Sequence, residues 1–425
     1  MSGKKTFIFV AVGSHGDVHP IVGIAAAMKA RGHRCVMCVN GHFRSLVERN
    51  GLEYIEAGTA AEYLEIIKNP DVWHPRKGGK IVLEMAVSRL LKPAYEGLLQ
   101  HWQQEKFVLV SSPLCISARL LHETHGVPLV STQLQPVVMR SVHEVPGLGL
   151  PMPKWVPHWL IRAMFWAVDR AIVDPILCPR LNEFRRELGL PDVTRPMNGW
   201  WNSPQRIIGL WPAWFGAPQP DWPPQTRLAG FPLYDERTAE PLPPELETFL
   251  AEGTSPIAFT PGSAMRHGKD FFEAAIGACE KLQRRALLLT RFAENIPGHL
   301  PPSVLHVPYA PFSQLLPRCA AVVHHGGIGT LAQGFAAGIP QLLMPMAHDQ
   351  PDNLLRLQRL GAGDGLRPTD FTPRNVAEKL GRLLADAAVQ QRCRELRQRI
   401  ADDHPLDTAC ALLEAHADKY LTHDE

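Results

Sequence analysis

The 425-residue chain has no apolar run long enough to cross a bilayer, which takes about 18–20 consecutive apolar residues. Its N-terminal stretch, KKTFIFVAVGSHGD, turns polar too early for a secretory signal. The cytoplasm is therefore the expected compartment, with peripheral contact at the inner membrane face as the remaining option. Charge of one sign is lacking as well: 44 Lys and Arg stand against 42 Asp and Glu, a net charge of +2, so no field points to nucleic acid. The eight cysteines are scattered, and Cys35 and Cys38 have no second Cys or His pair at zinc-like spacing. Lying in an apolar run, they read as strand packing. The first predicted strand is not followed by Gly-x-Gly-x-x-Gly, which weakens any nicotinamide reading. Adjacent His324 and His325 do not suggest a metal, because consecutive side chains on a strand face opposite ways; no metal site is expected.

What is present reads as an ordinary globule, 45% apolar and 20% charged, long enough for two or three domains. Residues 7–12 form an apolar run typical of a buried parallel strand. A polar loop follows at 13–17, then a helix starting near Pro20 and ending before Gly32, then a strand at 35–39. Further strands are expected at 107–111 and 129–131, with a helix at 115–125 between them. In the second half, strands at 257–260, 286–290, 304–307, 320–323 and 341–346 alternate with helical stretches. Such alternation implies parallel sheets covered on both faces. The predicted layout is an N-terminal domain at 1–217 and a proline-rich linker at 218–244. A C-terminal domain at 245–404 follows, and a last helix at 405–425 packs back toward the first domain. The aromatic stretch 146–189 reads first as interhelical core, then as a pocket wall or a membrane-touching face.

Residues 324–350, HHGGIGTLAQGFAAGIPQLLMPMAHDQ, carry the most information. His-Gly-Gly-x-Gly-Thr follows one apolar run and opens a helix, where backbone N–H groups and the helix dipole favour an anion. His348-Asp349-Gln350 follows the next run and offers a carboxylate and an amide. If both runs are parallel strands, both loops leave the same sheet edge, where open α/β folds bind ligands. Phosphate donors beside hydroxyl acceptors make the footprint of a nucleotide-sugar site. Gly262 and Ser263 add a second phosphate loop, and Tyr309 a ring able to stack on a nucleobase.

These residues resemble a known pattern. HHGGIGT followed by AAGIPQLLMPMAHDQPDN is similar to the donor signature of glycosyltransferase family 1, and GSHGDVHPIVGIAAAMKARGH to its bacterial and sterol-type opening. The resemblance implies a GT-B fold, α/β with two Rossmann-like parallel-sheet domains facing each other across a cleft. The PAWF, DWP and GFPL elements resemble rhamnosyltransferases of the mono-rhamnolipid-forming class. That implies inverting, metal-independent transfer of L-rhamnose from dTDP-L-rhamnose to an apolar acceptor such as a 3-hydroxyacyl lipid. The alternatives are a UDP-glucose-dependent glucosyltransferase acting on a sterol or polyketide and, remotely, a non-catalytic nucleotide-sugar-binding protein. By the resemblance, His325 contacts the diphosphate with Gly327, Gly329, Thr330, Gly262 and Ser263, while Asp349 and Gln350 hold sugar hydroxyls and Tyr309 takes the base. Asp17 stands at the catalytic-base position, with His15 as its rival. A helix dipole near Asp17 would lower its pKa and weaken it as a base. The nucleotide sugar is a co-substrate, no cofactor is implied, and no obligate protein partner is evident.

Overall fold

The computed structural model describes residues 3–147, 152–153, 155–236, 242–263, 265 and 268–421. Two all-parallel sheets organise them. The first has the order β3-β2-β1-β4-β5-β6-β7, from β1 (Thr6–Val10), β2 (Arg34–Val39), β3 (Glu53–Glu56), β4 (Val108–Ser111), β5 (Leu129–Gln133), β6 (Arg206–Gly209) and β7 (Thr226–Leu228). The second has the order β10-β9-β8-β11-β12-β13, from β8 (Ile257–Thr260), β9 (Ala286–Leu289), β10 (Val304–Val307), β11 (Ala321–His324), β12 (Gln341–Leu343) and β13 (Gly363–Gly365). Both sheets reverse direction beside their first strand, at β1/β4 and β8/β11, which are the points where doubly wound sheets hold ligands.

The strands are apolar throughout because both faces are covered. On β1, Phe7 and Phe9 pack with Ile21, Ala25 and Met28 of the helix His15–Ala30, while Ile8 and Val10 enter a second cluster with Leu109 and Leu121. The same alternation separates Cys35 and Cys38, which lie in different clusters. Burial pushes both thiols up to about 12, so these cysteines are packing groups.

The helix predicted to start near Pro20 begins at His15. The reason is a capping box: Ser14 Oγ accepts from the Gly16 N–H at 3.3 Å, and Asp17 accepts from the Ser14 N–H at 2.7 Å. Pro20 then lies inside the helix, where it forgoes one backbone hydrogen bond. The range read as linker also differs, since Thr226–Leu228 forms the seventh strand of the first sheet. It is the outermost strand of that sheet, a place where flanking prolines are tolerated.

The helix Pro405–Tyr420 lies against the helix His15–Ala30 and buries Ala409, Cys410, Leu413 and Ala417 in the first domain's core. Arg31 pairs with Asp407 at 2.7 Å and with Glu414 at 3.0 Å across that contact. A second tie joins the domains deeper down. Buried Arg356 holds Asp352 at 2.6 Å and donates to the Phe215 carbonyl at 3.0 Å, while Asp352 accepts from the Gly147 N–H at 2.9 Å.

The aromatic stretch is not the interhelical core it was expected to be. Trp155, Trp159 and Trp166 are largely exposed, and no described residue between 136 and 209 lines the cleft cavity. No described helix is long and apolar enough to cross a membrane.

Candidate active site

A cavity of about 670 Å³ lies between the two sheets. Its walls come from the loops after β1 and β8, the loop after β10, and the loops after β11 and β12. Asp17, His15, Gly262, Ser263, Tyr309, His325, Gly327, Gly329, Thr330, Asp349 and Gln350 all contribute to its lining. The two ends of the motif separated in sequence are thus brought to one place.

Asp17 sits at the first-domain side. Both of its hydrogen bonds, from Ser14 N at 2.7 Å and Ser14 Oγ at 3.1 Å, fall on Oδ2. Among the described residues Oδ1 carries none. Gly13, at φ +135, is required here, because a Cβ at that position would stand 2.2 Å from Asp17 Oδ2. Burial raises the Asp17 carboxyl to about 6, opposed by the Ser14 hydrogen bonds and assisted by the charge of Asp349. The helix end does not hold this carboxyl low, contrary to the expectation from sequence. Lost hydration outweighs the helix end.

His15 is placed differently. Arg291 Nη1 lies 3.3 Å from His15 Nε2, and a guanidinium only donates. The Nε2 lone pair is therefore engaged, the proton belongs on Nδ1, and Nδ1 is buried without a partner. Burial, His19 and Arg291 press its pKa down to about 3. Nearby, His19 Nε2 meets Glu236 at 2.9 Å and Arg49 meets Glu236 at 2.6 Å. His15, His19 and Glu236 place their ligand-capable atoms within 4.8 Å of one another. The sequence, with His19 and Glu236 217 positions apart, gave no sign of this group. Two arginines also face this group, Arg291 at His15 Nε2 and Arg49 at Glu236 Oε2.

The second-domain wall is built on β11. His324 ends the strand fully buried, its Nε2 against Gln341 Oε1 at 3.0 Å and its Nδ1 accepting from the Gly326 N–H at 3.1 Å. His325 turns the other way, into the cavity. Its ring is wedged between two glycines: a Cβ at Gly262 would lie 2.9 Å from it, and a Cβ at Gly327 2.5 Å. The glycines therefore orient this imidazole by making room for it. Burial, with the nearby His348, lowers its pKa to about 4, and Nδ1 has no partner. The helix Ile328–Ala337 starts directly after it at Gly327 with no side-chain cap, leaving N–H donors toward the cavity.

Asp349 precedes the helix Gln350–Leu360 and accepts from Asn353 Nδ2 at 2.6 Å, while Asn353 Nδ2 also reaches the Gly326 carbonyl at 2.8 Å. Burial raises the Asp349 carboxyl to about 6, opposed chiefly by Asn353. Gln350 was expected to hold sugar hydroxyls; its Oε1 instead accepts from the N–H groups of Met346 at 2.7 Å and Ala347 at 3.1 Å. Only its amide NH₂ is left for another partner. Tyr309 is half-covered as well: Arg291 lies over its ring at 4.9 Å, and its hydroxyl donates to the Asp235 carbonyl at 2.5 Å.

Two residues missed from sequence complete the wall. His348, at φ +59, bonds the Val72 carbonyl of the first domain through Nε2 at 2.9 Å. Trp73 contacts the rings of both His348 and His325, with centroids 5.8 and 6.5 Å apart, and its Nε1 is buried without a partner. A non-glycine residue held at positive φ is a sign of functional constraint. The dense His348-Asp349-Gln350 cluster was the available signal for the first; nothing local marked Trp73.

Known proteins resemble this chain in both halves. Residues 7–144 match the glycosyltransferase family 28 N-terminal domain, and residues 287–414 match the erythromycin biosynthesis protein CIII-like C-terminal domain. O-mycaminosyltylonolide 6-deoxyallosyltransferase of Streptomyces fradiae is 31% identical over 97% of this chain and 98% of its own length. The chain belongs to the CIII-like glycosyltransferases. Among solved structures, the kitacinnamycin glycosyltransferase superposes with a TM-score of 0.73 at 21% identity, covering 97% of this chain and 99% of that one. The spinosyn rhamnosyltransferase SpnG, solved with thymidine diphosphate, gives 0.67 at 18% identity, covering 96% and 99%. The fold is accordingly GT-B, as the resemblance implied. These relatives do not single out the rhamnolipid class.

Proposed function

We propose that this glycosyltransferase moves L-rhamnose from dTDP-L-rhamnose to a hydroxyl of an apolar acceptor such as a 3-hydroxyacyl lipid, with inversion at the anomeric carbon. The observation that carries the reading is the free Oδ1 of Asp17 in a cavity lined both by polar groups, His325, Asp349 and the start of the helix Ile328–Ala337, and by apolar ones, Ile66, Ile67, Val82, Met85, Leu90 and Leu98. An apolar lining of that kind takes an alkyl or ring system, with the hydroxyl drawn toward the carboxylate.

Asp17 accepts the proton as the acceptor oxygen attacks the anomeric carbon. The bond to the diphosphate oxygen breaks with its electron pair, and the nucleoside diphosphate leaves toward His325 and the helix N-terminus. A neutral His325 suits this wall: it donates one N–H to the dianion, and the arriving charge raises its pKa. Asp349 receives the sugar hydroxyls while Gln350 shapes the loop that presents it. His15 does not serve as base in this scheme, because its lone pair faces Arg291. No step calls on a metal ion. The thymidine donor draws support from the deoxysugar named for the Streptomyces relative and from the thymidine diphosphate in the spinosyn enzyme.

Calorimetric titration with dTDP-rhamnose, dTDP, UDP-glucose and UDP tests the donor. Preference for the thymidine pair, followed by turnover of a hydroxyacyl acceptor, supports the proposal. Preference for the uridine pair would move the donor to UDP-sugars, and binding of none would remove the donor site.

A further inference from the structure

The segment 155–182 buries only a narrow stripe. Ile161, Asp169, Val173, Leu177 and Leu181 are buried at four- or eight-residue spacing, with Val156, Asp174 and Asn182 buried beside them and Phe165 partly so. From Ile161 onward they lie along one continuous helix, formed by His158–Val168, a π-type turn at Asp169–Val173 and Asp174–Glu187. The opposite side is broad and apolar. Trp155 is 80% exposed, Trp159 68%, Ile172 55% and Trp166 54%, beside exposed Leu160, Met164 and Val168. Soluble surfaces scatter such residues singly, and a contiguous set marks an interaction face.

Charge narrows the choice of partner. The two acids between residues 155 and 182 both turn inward: Asp169 to Arg140 at 2.6 Å and Arg195 at 3.0 Å, Asp174 to Arg170 at 2.9 Å and the Arg195 N–H at 2.7 Å. The exposed charges of the segment are Arg162, Arg170 and Arg180, all cationic. Exposed Glu183 stands at the far end of the same helix; around the tryptophans the exposed charges are cationic, and such a face fits the headgroup level of an anionic bilayer.

We infer that this helix docks the enzyme on an anionic phospholipid surface, with the three tryptophans entering the interface and the arginines meeting lipid phosphate. The position supports the role. Asp174–Glu187 packs against Gly78–Met85 and the turn Ala86–Leu90, whose Val82, Met85 and Leu90 line the cavity. Docking would hold that part of its wall beside the bilayer, where an apolar acceptor dissolves; this last point rests on the proposed acceptor, whereas the docking does not.

The test is flotation of the full chain with phosphatidylcholine vesicles, with and without phosphatidylglycerol. The wild type should float with the anionic vesicles, blue-shift its tryptophan emission, and bind less as salt rises. The triple variant Trp155→Ser, Trp159→Ser, Trp166→Ser should lose binding by about tenfold or more. The variant Arg162→Glu, Arg180→Glu should lose the anionic preference. Both should keep wild-type circular dichroism and nucleoside diphosphate affinity, which reports on the donor site separately. Undiminished flotation of the folded triple variant would overturn the proposal. So would a wild type that ignores vesicles but dimerises through this face by sedimentation, the triple variant remaining monomeric.

Discussion

The identity of the base can be read from the acid side of the pH–rate profile, because the two candidates titrate far apart. Asp17 stands at about 6 and His15 at about 3. A base must be deprotonated to act, so with Asp17 the rate falls as pH drops through about 6. The ionised fraction is about 0.9 at pH 7 and about 0.09 at pH 5, so kcat/KM should drop about tenfold between them. With His15 the base stays neutral over that whole interval and the profile is flat. Asp349 also stands at about 6, so the two carboxylates need separating. Asp17→Asn should cut kcat by about 10²–10⁴ and remove the limb from the residual rate. Asp349→Asn should weaken the donor yet keep the limb, moved to lower pH, since the nearby Asp349 charge helps to raise Asp17. Single-turnover rates at saturating donor, from pH 4.5 to 8, are the assay. A flat wild-type profile, or a limb that survives in Asp17→Asn and vanishes in Asp349→Asn, would refute the assignment.

His325→Ala should weaken nucleoside diphosphate binding by about 1–3 kcal/mol; in the wild type, affinity should rise as pH falls toward about 4, because a bound dianion favours the protonated ring. Calorimetry at several pH values checks both. Gly327→Ala should reproduce much of that loss with the imidazole still present, since its Cβ would meet the ring at 2.5 Å; equal affinity would show that the ring is free to move. Arg356→Ala leaves Asp352 buried without its ion-pair partner and should cost about 3–5 kcal/mol in urea unfolding. EDTA should leave initial rates unchanged; inhibition reversed by Mg²⁺ would assign the His15, His19, Glu236 group a role in turnover.

The residues legible in the sequence are those whose partners are close in the chain. The stretch 324–350 encodes its own strand, turn, helix and second turn, and strand alternation alone separates buried His324 from cavity-facing His325. Fully buried strands such as β1 and β8 were equally plain. Strands β3, β6, β7 and β13 were not, because charged residues or glycines interrupt their apolar runs. Gly363-Asp364-Gly365 even runs against strand propensity and pairs only because β12 lies beside it. The cleft is where local reading stopped. His348 to Val72 spans 276 positions, and so does Arg291 to His15; no periodicity carries information over that distance. Those two contacts nevertheless decide the chemistry, one setting Trp73 over the donor wall and the other occupying the lone pair of His15. The ranking of Asp17 over His15 therefore depends on closure of the two domains. Trp73→Phe tests that dependence: it keeps the ring and removes the unpartnered Nε1–H. If that N–H meets the donor, dTDP-rhamnose affinity should fall by about 1 kcal/mol while the acid limb stays near 6. Unchanged affinity would make Trp73 packing alone.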